Sequence, residues 1–238
     1  MATNELSSEF VIYGNVSDTQ SISLAKALDV KLESSERVPG KPHLVVTNGR
    51  LELVGQDGLR FALSESEIER RLKGFARSGL AKACSVARTP RILDALSGWG
   101  TDGITLAAYG CRVVCCEVIP EIATLNRARA LNIAPKTRFF CGDVIEFMRL
   151  GRHEFDVIYL DDMFPPHPKG ARPSKSLQIL GELAAVCDIE EALDTALEAT
   201  KDRVVVKRRR NQPPARDLPA WSIDGKTVRF DVYRAASI

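Results

Sequence analysis

The sequence predicts an α/β protein in which a mostly parallel sheet is covered by helices on both faces and is preceded by a smaller α/β unit. After Thr89 and Pro90, short β-branched and apolar runs alternate with helical segments, as expected of buried parallel strands joined by crossover helices. The chain ends with WSIDGKTVRFDVY, a predicted antiparallel hairpin that turns at Asp224 and Gly225. Because 45% of the residues are hydrophobic, the chain can bury a sizeable core, which excludes a mainly disordered protein.

The N-terminal part has its own strand and helix pattern. Short strands are predicted at EFVIYG, HLVVT and LELVG, with a helix at SISLAKALDV between the first two and a turn from Gly55 to Gly58. At Ser64 the pattern changes to a charged amphipathic helix of about 64–87, in which Ser64 and Glu67 have the spacing of a capping box. We therefore expect a small α/β subdomain at 1–63 and a larger domain at 64–238, joined by this helix.

The larger domain has five predicted parallel strands: RILDAL, RVVCCEV, TRFFCGD, FDVIYLD and DRVVVK. The predicted helices are ITLAAYG, PEIATLNRARALN, VIEFMRL, KSLQILGELAAV and IEEALDTALEATK. A nicotinamide dehydrogenase domain would add a sixth parallel strand where this chain has a hairpin.

The composition and local patterns also narrow the function classes. A formal net charge of +2 is too small to identify a nucleic-acid-binding protein, so that inference depends on local clusters. No stretch approaches the roughly 18 apolar residues of a membrane span, and no signal-peptide pattern is present, so we expect a cytoplasmic protein without a membrane partner. The six cysteines include no CxxC pair, so we expect free thiols and no metal site.

The segment LDALSGWGTDG is the strongest candidate for a cofactor loop. It follows the first strand of the larger sheet, precedes a helix, and contains Gly98, Gly100 and Gly103 at the spacing of a nucleotide-binding loop. The loop alone fits the pyrophosphate of NAD as well as the methionine and ribose of S-adenosylmethionine (SAM). Asp94, four residues before Gly98, favours SAM, because methyltransferases place an acid there near the cofactor's ammonium group.

Two further acids end neighbouring predicted strands. Glu117 ends the second strand, where a carboxylate can bind the ribose hydroxyls, and Asp143 follows the third, where methyltransferases commonly bind the adenine amino group. Each acid alone could be a solvated strand end or a helix cap, and Asp102 could be a loop residue only. Because ligands bind at the carboxyl ends of strands in open α/β sheets, the acids together predict a SAM site.

The fourth strand runs into Asp161-Asp162-Met163-Phe164-Pro165-Pro166, the candidate catalytic segment. It resembles the Asp/Asn-Pro-Pro-Phe/Tyr loop of methyltransferases that modify exocyclic amino groups of bases, although Asp162 stands in place of the first proline. We expect Asp161 to accept hydrogen bonds from the amine, Phe164 to stack on a flipped-out base, and Pro165 to restrict the backbone. The alternative is a core phenylalanine followed by prolines that end a strand.

Two basic clusters are candidates for contacts with RNA phosphates. The first lies downstream of the catalytic segment and comprises Lys169, Arg172 and Lys175; the second follows the fifth strand and comprises Lys207, Arg208, Arg209 and Arg210. Either cluster alone could equally be a solvated surface.

Together these motifs point to one family. DALSGWGTDGITLAAYGCRV, YLDDMFP, CDIEEALDTAL, RVVVKR and RFDVY are similar, in order and spacing, to the ribosomal RNA small subunit methyltransferase J family over roughly 70–233. The resemblance implies a Rossmann-like, SAM-dependent enzyme that makes N2-methylguanosine in 16S rRNA. It implies cofactor binding at Thr101, Asp102, Glu117, Val118, Asp143, Val144 and Asp161. The family usually reads D-P-M-F-P where this chain has DDMFP.

The expected partner is 16S rRNA or the 30S subunit, and the expected state is a monomer or weak dimer. Three alternatives stay open. The first is an amino methyltransferase acting on DNA adenine, another RNA or a protein amide. The second is an RNA-binding protein that keeps the cofactor fold with little or no activity, and the third is a nicotinamide enzyme.

Overall fold

The computed structural model describes residues 10–34, 41–161 and 187–235. Within these ranges the chain forms a five-stranded and a seven-stranded sheet. The elements of the N-terminal sheet are β1 (Val11–Gly14), α1 (Thr19–Leu28), β2 (Lys31–Ser34), β3 (His43–Thr47), β4 (Arg50–Val54) and β5 (Arg60–Phe61). None of the helices in the described ranges is long and apolar enough to cross a membrane.

The N-terminal sheet has the strand order β2-β1-β3-β4-β5. Strand β1 is parallel to β2 and β3, and β3, β4 and β5 are antiparallel. The strands β1, β3 and β4 were predicted, and the amide of Gly58 closes the predicted turn on the carbonyl of Gly55. Strands β2 and β5 were not predicted, because the polar run KLES and a two-residue strand carry little apolar periodicity.

The segment 64–87, predicted as one helix, is broken into pieces. It contains α2 (Glu65–Leu72), α3 (Gly79–Ala83) and short 3₁₀ turns at Phe75–Arg77 and Val86–Arg88. Gly74 has φ 78°, a left-handed conformation that interrupts the first helix, and the Ser78 hydroxyl accepts from the amide of Ala81 to begin the next. Ser64 does cap α2, but its side chain accepts from the amide of Ser66 rather than Glu67.

The larger sheet contains β6 (Arg91–Asp94), β7 (Arg112–Glu117), β8 (Arg138–Cys141), β9 (Phe155–Asp161), β10 (Thr200–Arg209), β11 (Trp221–Asp224) and β12 (Val228–Arg234). Its helices are α4 (Thr101–Tyr109), α5 (Pro120–Ile133), α6 (Val144–Leu150) and α7 (Ile189–Ala199). The order is β11-β12-β10-β9-β6-β7-β8. Strands β6 to β10 are parallel and the hairpin β11–β12 is antiparallel, which confirms the predicted fold class. The predicted helix KSLQILGELAAV lies outside the described residues.

The central strands are buried on both faces because helices cover each side of the sheet. Val157 and Tyr159 of β9 join the cluster that contains Leu80 of α3. Ile158 and Leu160, which alternate with them, join the opposite cluster with the helices α6 and α7. This two-sided burial explains why β9 reads as a continuous apolar run.

The strand order places a crevice at the carboxyl end of β6. From β6 the chain continues outward through β7 and β8, and then returns to the other side of β6 as β9. Connections that leave a strand in opposite directions open a crevice at its carboxyl end, where open α/β sheets bind ligands. The candidate ligand-binding residues are therefore those at the carboxyl ends of β6, β7 and β9.

The N-terminal sheet shares a core with the larger unit. Ile122 and Leu125 of α5 belong to the same buried cluster as Leu44 and Leu53 of the N-terminal strands. The ring of Phe61 also lies 4.7 Å, centroid to centroid, from Trp99 in the predicted cofactor loop. The division into domains at 1–63 and 64–238 stays a prediction, since the two parts are joined by this packing.

Replacing Ile122 with alanine should destabilise the fold, because its side chain is fully buried in the shared cluster. Removing a buried isoleucine side chain costs about 2–4 kcal/mol. Urea unfolding followed by circular dichroism measures the free energy of unfolding. Leu150→Ala, at a position 77% exposed, is the control, and equal losses in both variants would contradict a shared core.

Candidate active site

Three of the predicted acids end neighbouring strands of the larger sheet. Asp94 ends β6, Glu117 ends β7 and Asp161 ends β9, and β6 lies between the other two. In the register of the sheet Asp94 is paired with Tyr159, and Asp161 with Lys207 of β10. The structure therefore brings these side chains to one edge, as the sequence predicted.

The glycine loop after β6 depends on the left-handed backbone of two residues. Gly98 has φ 49° and Gly100 has φ 65°, and the amide of Gly100 donates to the carbonyl of Ser97 over 2.7 Å. A Cβ atom at Gly100 would also lie 2.8 Å from the Asn126 side chain. Glycine at position 100 is therefore required both by the backbone conformation and by the approach of α5.

Two buried side chains of α5 donate hydrogen bonds to this loop. The Asn126 side-chain amide donates to the carbonyl of Gly98 over 2.6 Å. Arg129 Nη2 donates to the carbonyl of Trp99 over 2.7 Å and to the Thr101 hydroxyl over 3.1 Å. Neither residue was predicted from the sequence, although two polar side chains three positions apart on one helix lie on the same face.

Asp94 is a buried carboxyl group without a hydrogen-bond partner on either carboxylate oxygen among the described residues. It is 1% exposed, and a Cβ atom at Gly103 would lie 2.2 Å from its Oδ2. Gly103 is thus the residue that allows α4 to close over Asp94. Burial, together with the nearby charges of Asp102 and Asp161, raises the pKa of Asp94 well above its ordinary value.

Asp102, 7% exposed, is held by three protein side chains. Its Oδ1 accepts from Arg71, while its Oδ2 accepts from Lys207 Nζ over 2.8 Å and from the Tyr159 hydroxyl over 2.7 Å. Burial alone would raise the pKa of Asp102, but Lys207 and Arg71 outweigh it and lower the pKa to about 2. Both oxygens are engaged within the protein, so a side-chain contact of Asp102 with a cofactor stays a prediction.

Lys207 lies inside the site and not on the predicted phosphate-binding surface. Its ammonium donates to Asp161 Oδ2 over 2.8 Å as well as to Asp102. Burial opposes its charge, but the two carboxylates raise its pKa above the ordinary value. The ammonium is shared by two acids of the site, and a phosphate contact at Lys207 stays a prediction.

The remaining residues of that basic run divide into one buried and two exposed side chains. The Arg208 guanidinium is buried and donates through Nε and Nη2 to the carbonyl of Pro213, so Arg208 also departs from the expected phosphate contact. Arg209 and Arg210 are exposed at the end of β10. Only these two of the four residues keep the exposure that a phosphate contact requires.

The acids after β7 and β8 have local hydrogen bonds. Glu117 Oε1 accepts from the amide of Ile119 over 2.9 Å, and burial raises the pKa of Glu117 to about 7. Asp143 Oδ1 accepts from the amides of Ile145 and Glu146, so Asp143 caps α6. The adjacent predicted cofactor residues differ in exposure, since Val118 is 46% exposed and Val144 is buried.

Several predicted site residues lie outside the described residues: Phe164, Pro165, Lys169, Arg172 and Lys175. Their roles stay predictions. Within the described ranges, no group of three or more His, Cys, Asp or Glu side chains could hold a metal ion.

Asp94→Asn should raise the thermal stability of the ligand-free protein near neutral pH. As pH rises above 3.8, the ordinary pKa of an aspartate, Asp94 loses its proton in the unfolded chain before it does so in the folded chain. The free energy of unfolding of the wild type therefore falls until the raised pKa is reached, whereas the amide does not titrate. The difference in Tm should grow from about pH 4 upward in scanning calorimetry. A variant less stable than wild type at neutral pH would contradict this account, and the exposed Asp217→Asn is the control.

Comparisons with known proteins identify the family of the chain. A family model described as a putative SAM-dependent methyltransferase matches residues 27–235. A ribosomal RNA small subunit methyltransferase J from Legionella pneumophila is 38% identical over 168 residues, 67% of this chain and 69% of the relative. A protein of the same name from Pseudomonas aeruginosa is 34% identical over 226 residues, 89% and 86% of the two chains.

A solved SAM-dependent methyltransferase from Neisseria gonorrhoeae has the same fold, with a TM-score of 0.72 and 24% identity over 96% of each chain. The matched region contains every element that forms the carboxyl edge of the larger sheet. The chain therefore belongs to the ribosomal RNA small subunit methyltransferase J family and is a SAM-dependent methyltransferase.

Proposed function

We propose that this enzyme transfers the SAM methyl group to the exocyclic N2 amino group of a guanosine in 16S rRNA. The observation that carries the proposal is the position of Asp161, which ends β9 next to the strand that feeds the glycine loop. The names of the relatives support small-subunit rRNA as the target. The N2 position comes from the family resemblance of the motifs around Asp161.

The residues at the carboxyl edge fit the chemical groups of SAM. The unpartnered, buried carboxyl of Asp94 suits a cationic ammonium group, and Glu117 suits the ribose hydroxyls. No side chain of the described residues caps α4 at Gly100, so the first amides of α4 suit the cofactor's carboxylate. Asp143, Val118 and Val144 would complete the adenosine site. When bound, SAM supplies a methyl group activated by a positively charged sulfur.

The task of the protein toward the base is to orient a weak nucleophile. The lone pair of a guanine amino group is delocalised into the ring, so the amine reacts only when acceptors hold it in line with the methyl group. Asp161 accepts from this amine and stabilises the positive charge that develops on nitrogen. Phe164 stacks on the base, and Pro165 restricts the backbone that presents the ring.

The wider RNA contact would come from exposed basic residues. Arg209 and Arg210 are exposed at the end of β10, and Lys169, Arg172 and Lys175 would extend the surface. Such contacts supply affinity without reading sequence. We place the reaction in the cytoplasm with the 30S subunit or free 16S rRNA as the substrate, and the enzyme acts as a monomer or weak dimer.

Purified protein should form N2-methylguanosine when incubated with labelled SAM and undermodified 30S subunits or 16S rRNA, detected by mass spectrometry of digested RNA. Asp161→Asn should lower kcat on the order of 100-fold, as removal of one preorganised transition-state contact does. The Kd for SAM is measured beside kcat, because the resemblance also implies a cofactor contact at Asp161. Asp217→Asn, an exposed substitution of the same kind, should leave both constants unchanged.

Other results of this assay would replace the proposal. Methylation of DNA adenine without N2-methylguanosine would change the target. SAM binding without turnover on any undermodified RNA would indicate a protein that binds RNA with little or no activity. Stabilisation by NAD but not by S-adenosylhomocysteine would contradict the cofactor assignment.

The affinity for SAM should increase as pH rises from 6 to 8. The pKa of Glu117 is raised to about 7 by burial, so the carboxylate that accepts from ribose hydroxyls is only fully formed above that pH. Calorimetric titration should show a Kd that falls with pH in the wild type. Glu117→Gln should bind SAM more weakly, and its Kd should no longer change with pH. If the pH dependence disappears only in Asp94→Asn, the titrating group is Asp94 and the prediction is wrong.

A further inference from the structure

A continuous set of charged contacts runs behind Asp161. Arg71 and the Tyr159 hydroxyl hold Asp102, Asp102 accepts from Lys207 over 2.8 Å, and Lys207 donates to Asp161 over 2.8 Å. The Lys207 ammonium therefore lies between two carboxylates that belong to different parts of the site. Asp102 is the second residue of α4, directly after the glycine loop, and Asp161 ends β9.

We infer that Lys207 is a positioning residue for methyl transfer: it fixes the Asp161 carboxylate relative to the cofactor loop by bridging Asp161 to Asp102. The inference rests on the proposed role of Asp161. It assigns to Lys207 a function inside the reaction centre rather than on the RNA-binding surface.

The carboxylate of Asp161 has rotational freedom of its own. The final torsion of an aspartate is broad, so its carboxylate plane is not fixed by the side chain itself. A short hydrogen bond from an ammonium is charge-assisted, strong and directional. The contact of Lys207 Nζ with Asp161 Oδ2 therefore supplies an orientation that the aspartate lacks on its own.

Lys207 is also held by a contact that does not involve Asp161. Asp102 is buried, and two further donors, from Arg71 and Tyr159, hold its carboxylate. Tyr159 is itself fully buried on β9. Because Asp102 is fixed in this way, the ammonium of Lys207 keeps its place when a base replaces water around Asp161.

Lys207 also balances the negative charge of two acids. Asp102 and Asp161 would repel each other at this edge, and a positive charge between them makes both ionised forms compatible. An ionised Asp161 is the form that accepts hydrogen bonds from an amine. Lys207 thus maintains both the direction and the charge state required of Asp161.

The test is a double-mutant cycle of Lys207→Met and Asp161→Asn, measured by single-turnover methylation of the substrate that the wild type modifies. Lys207→Met should lower kcat about 10- to 100-fold, because a small displacement of a catalytic group costs that much. The Kd for SAM and the KM for RNA should change by less than about 3-fold. In the Asp161→Asn background, Lys207→Met should have little further effect on kcat, because Lys207 acts through Asp161.

Two control variants separate this role from general effects of charge or folding. Lys201→Met removes an exposed lysine of the same strand and should leave kcat unchanged. Lys207→Arg keeps a positive charge between the acids, so it should fold even where Lys207→Met does not. Lys207→Arg should lower kcat less than Lys207→Met does, and this loss should be absent in the Asp161→Asn background. The Tm of Lys207→Arg should stay near that of the wild type.

Each other outcome overturns the inference in a recognisable way. A higher KM for RNA and a weaker salt dependence of RNA binding, with kcat unchanged, would make Lys207 a phosphate contact. Multiplicative losses in the cycle would show that Lys207 acts independently of Asp161. If the wild type methylates 30S subunits and the cycle gives multiplicative losses, only this inference is overturned. If the wild type shows no turnover, the proposed function is overturned and this inference with it.

Discussion

The site depends on how the protein compensates negative charge at the carboxyl edge of its larger sheet. Asp94, Asp102 and Asp161 lie close enough for their charges to influence one another, and burying such groups is costly without partners. Lys207 and Arg71 supply the compensation at Asp102 and Asp161. Neither carboxylate oxygen of Asp94 has a hydrogen-bond partner among the described residues, and burial raises its pKa well above the ordinary value.

The order of the strands makes this arrangement possible. Because β6 lies between β9 and β7, its terminal Asp94 is the central acid, and α4 starts directly above it. Gly103 has no Cβ, so α4 approaches Asp94 closely enough to place Asp102 against Lys207 and Tyr159 from the neighbouring strands. One glycine of the nucleotide-binding motif thus serves the packing of charges as well as the approach of a ligand.

The strands of the larger sheet, the glycine loop and the strand-end acids could be predicted because their signals are local. The continuous apolar run of β9 and the spacing from Asp94 to Gly103 require no knowledge of distant residues. The hydrogen bonds of Lys207 and Arg208 within the protein could not be predicted, because their partners depend on the folded chain: Asp102 lies 105 residues before Lys207. A basic run cannot reveal which of its members point inward. The break at Gly74 was a local signal, but the amphipathic pattern on both sides of it favoured one long helix.

Helix α5 connects the N-terminal sheet to the cofactor loop. One side of α5 contributes Ile122 and Leu125 to the shared cluster, and Asn126 and Arg129 hold the carbonyls of Gly98 and Trp99. Burial lowers the pKa of Arg129 to about 10, and its Nε and Nη1 lack hydrogen-bond partners among the described residues. Burying this guanidinium beside the loop therefore costs free energy of folding. Because Phe61 also packs on Trp99, the N-terminal sheet contacts both α5 and the glycine loop that α5 holds.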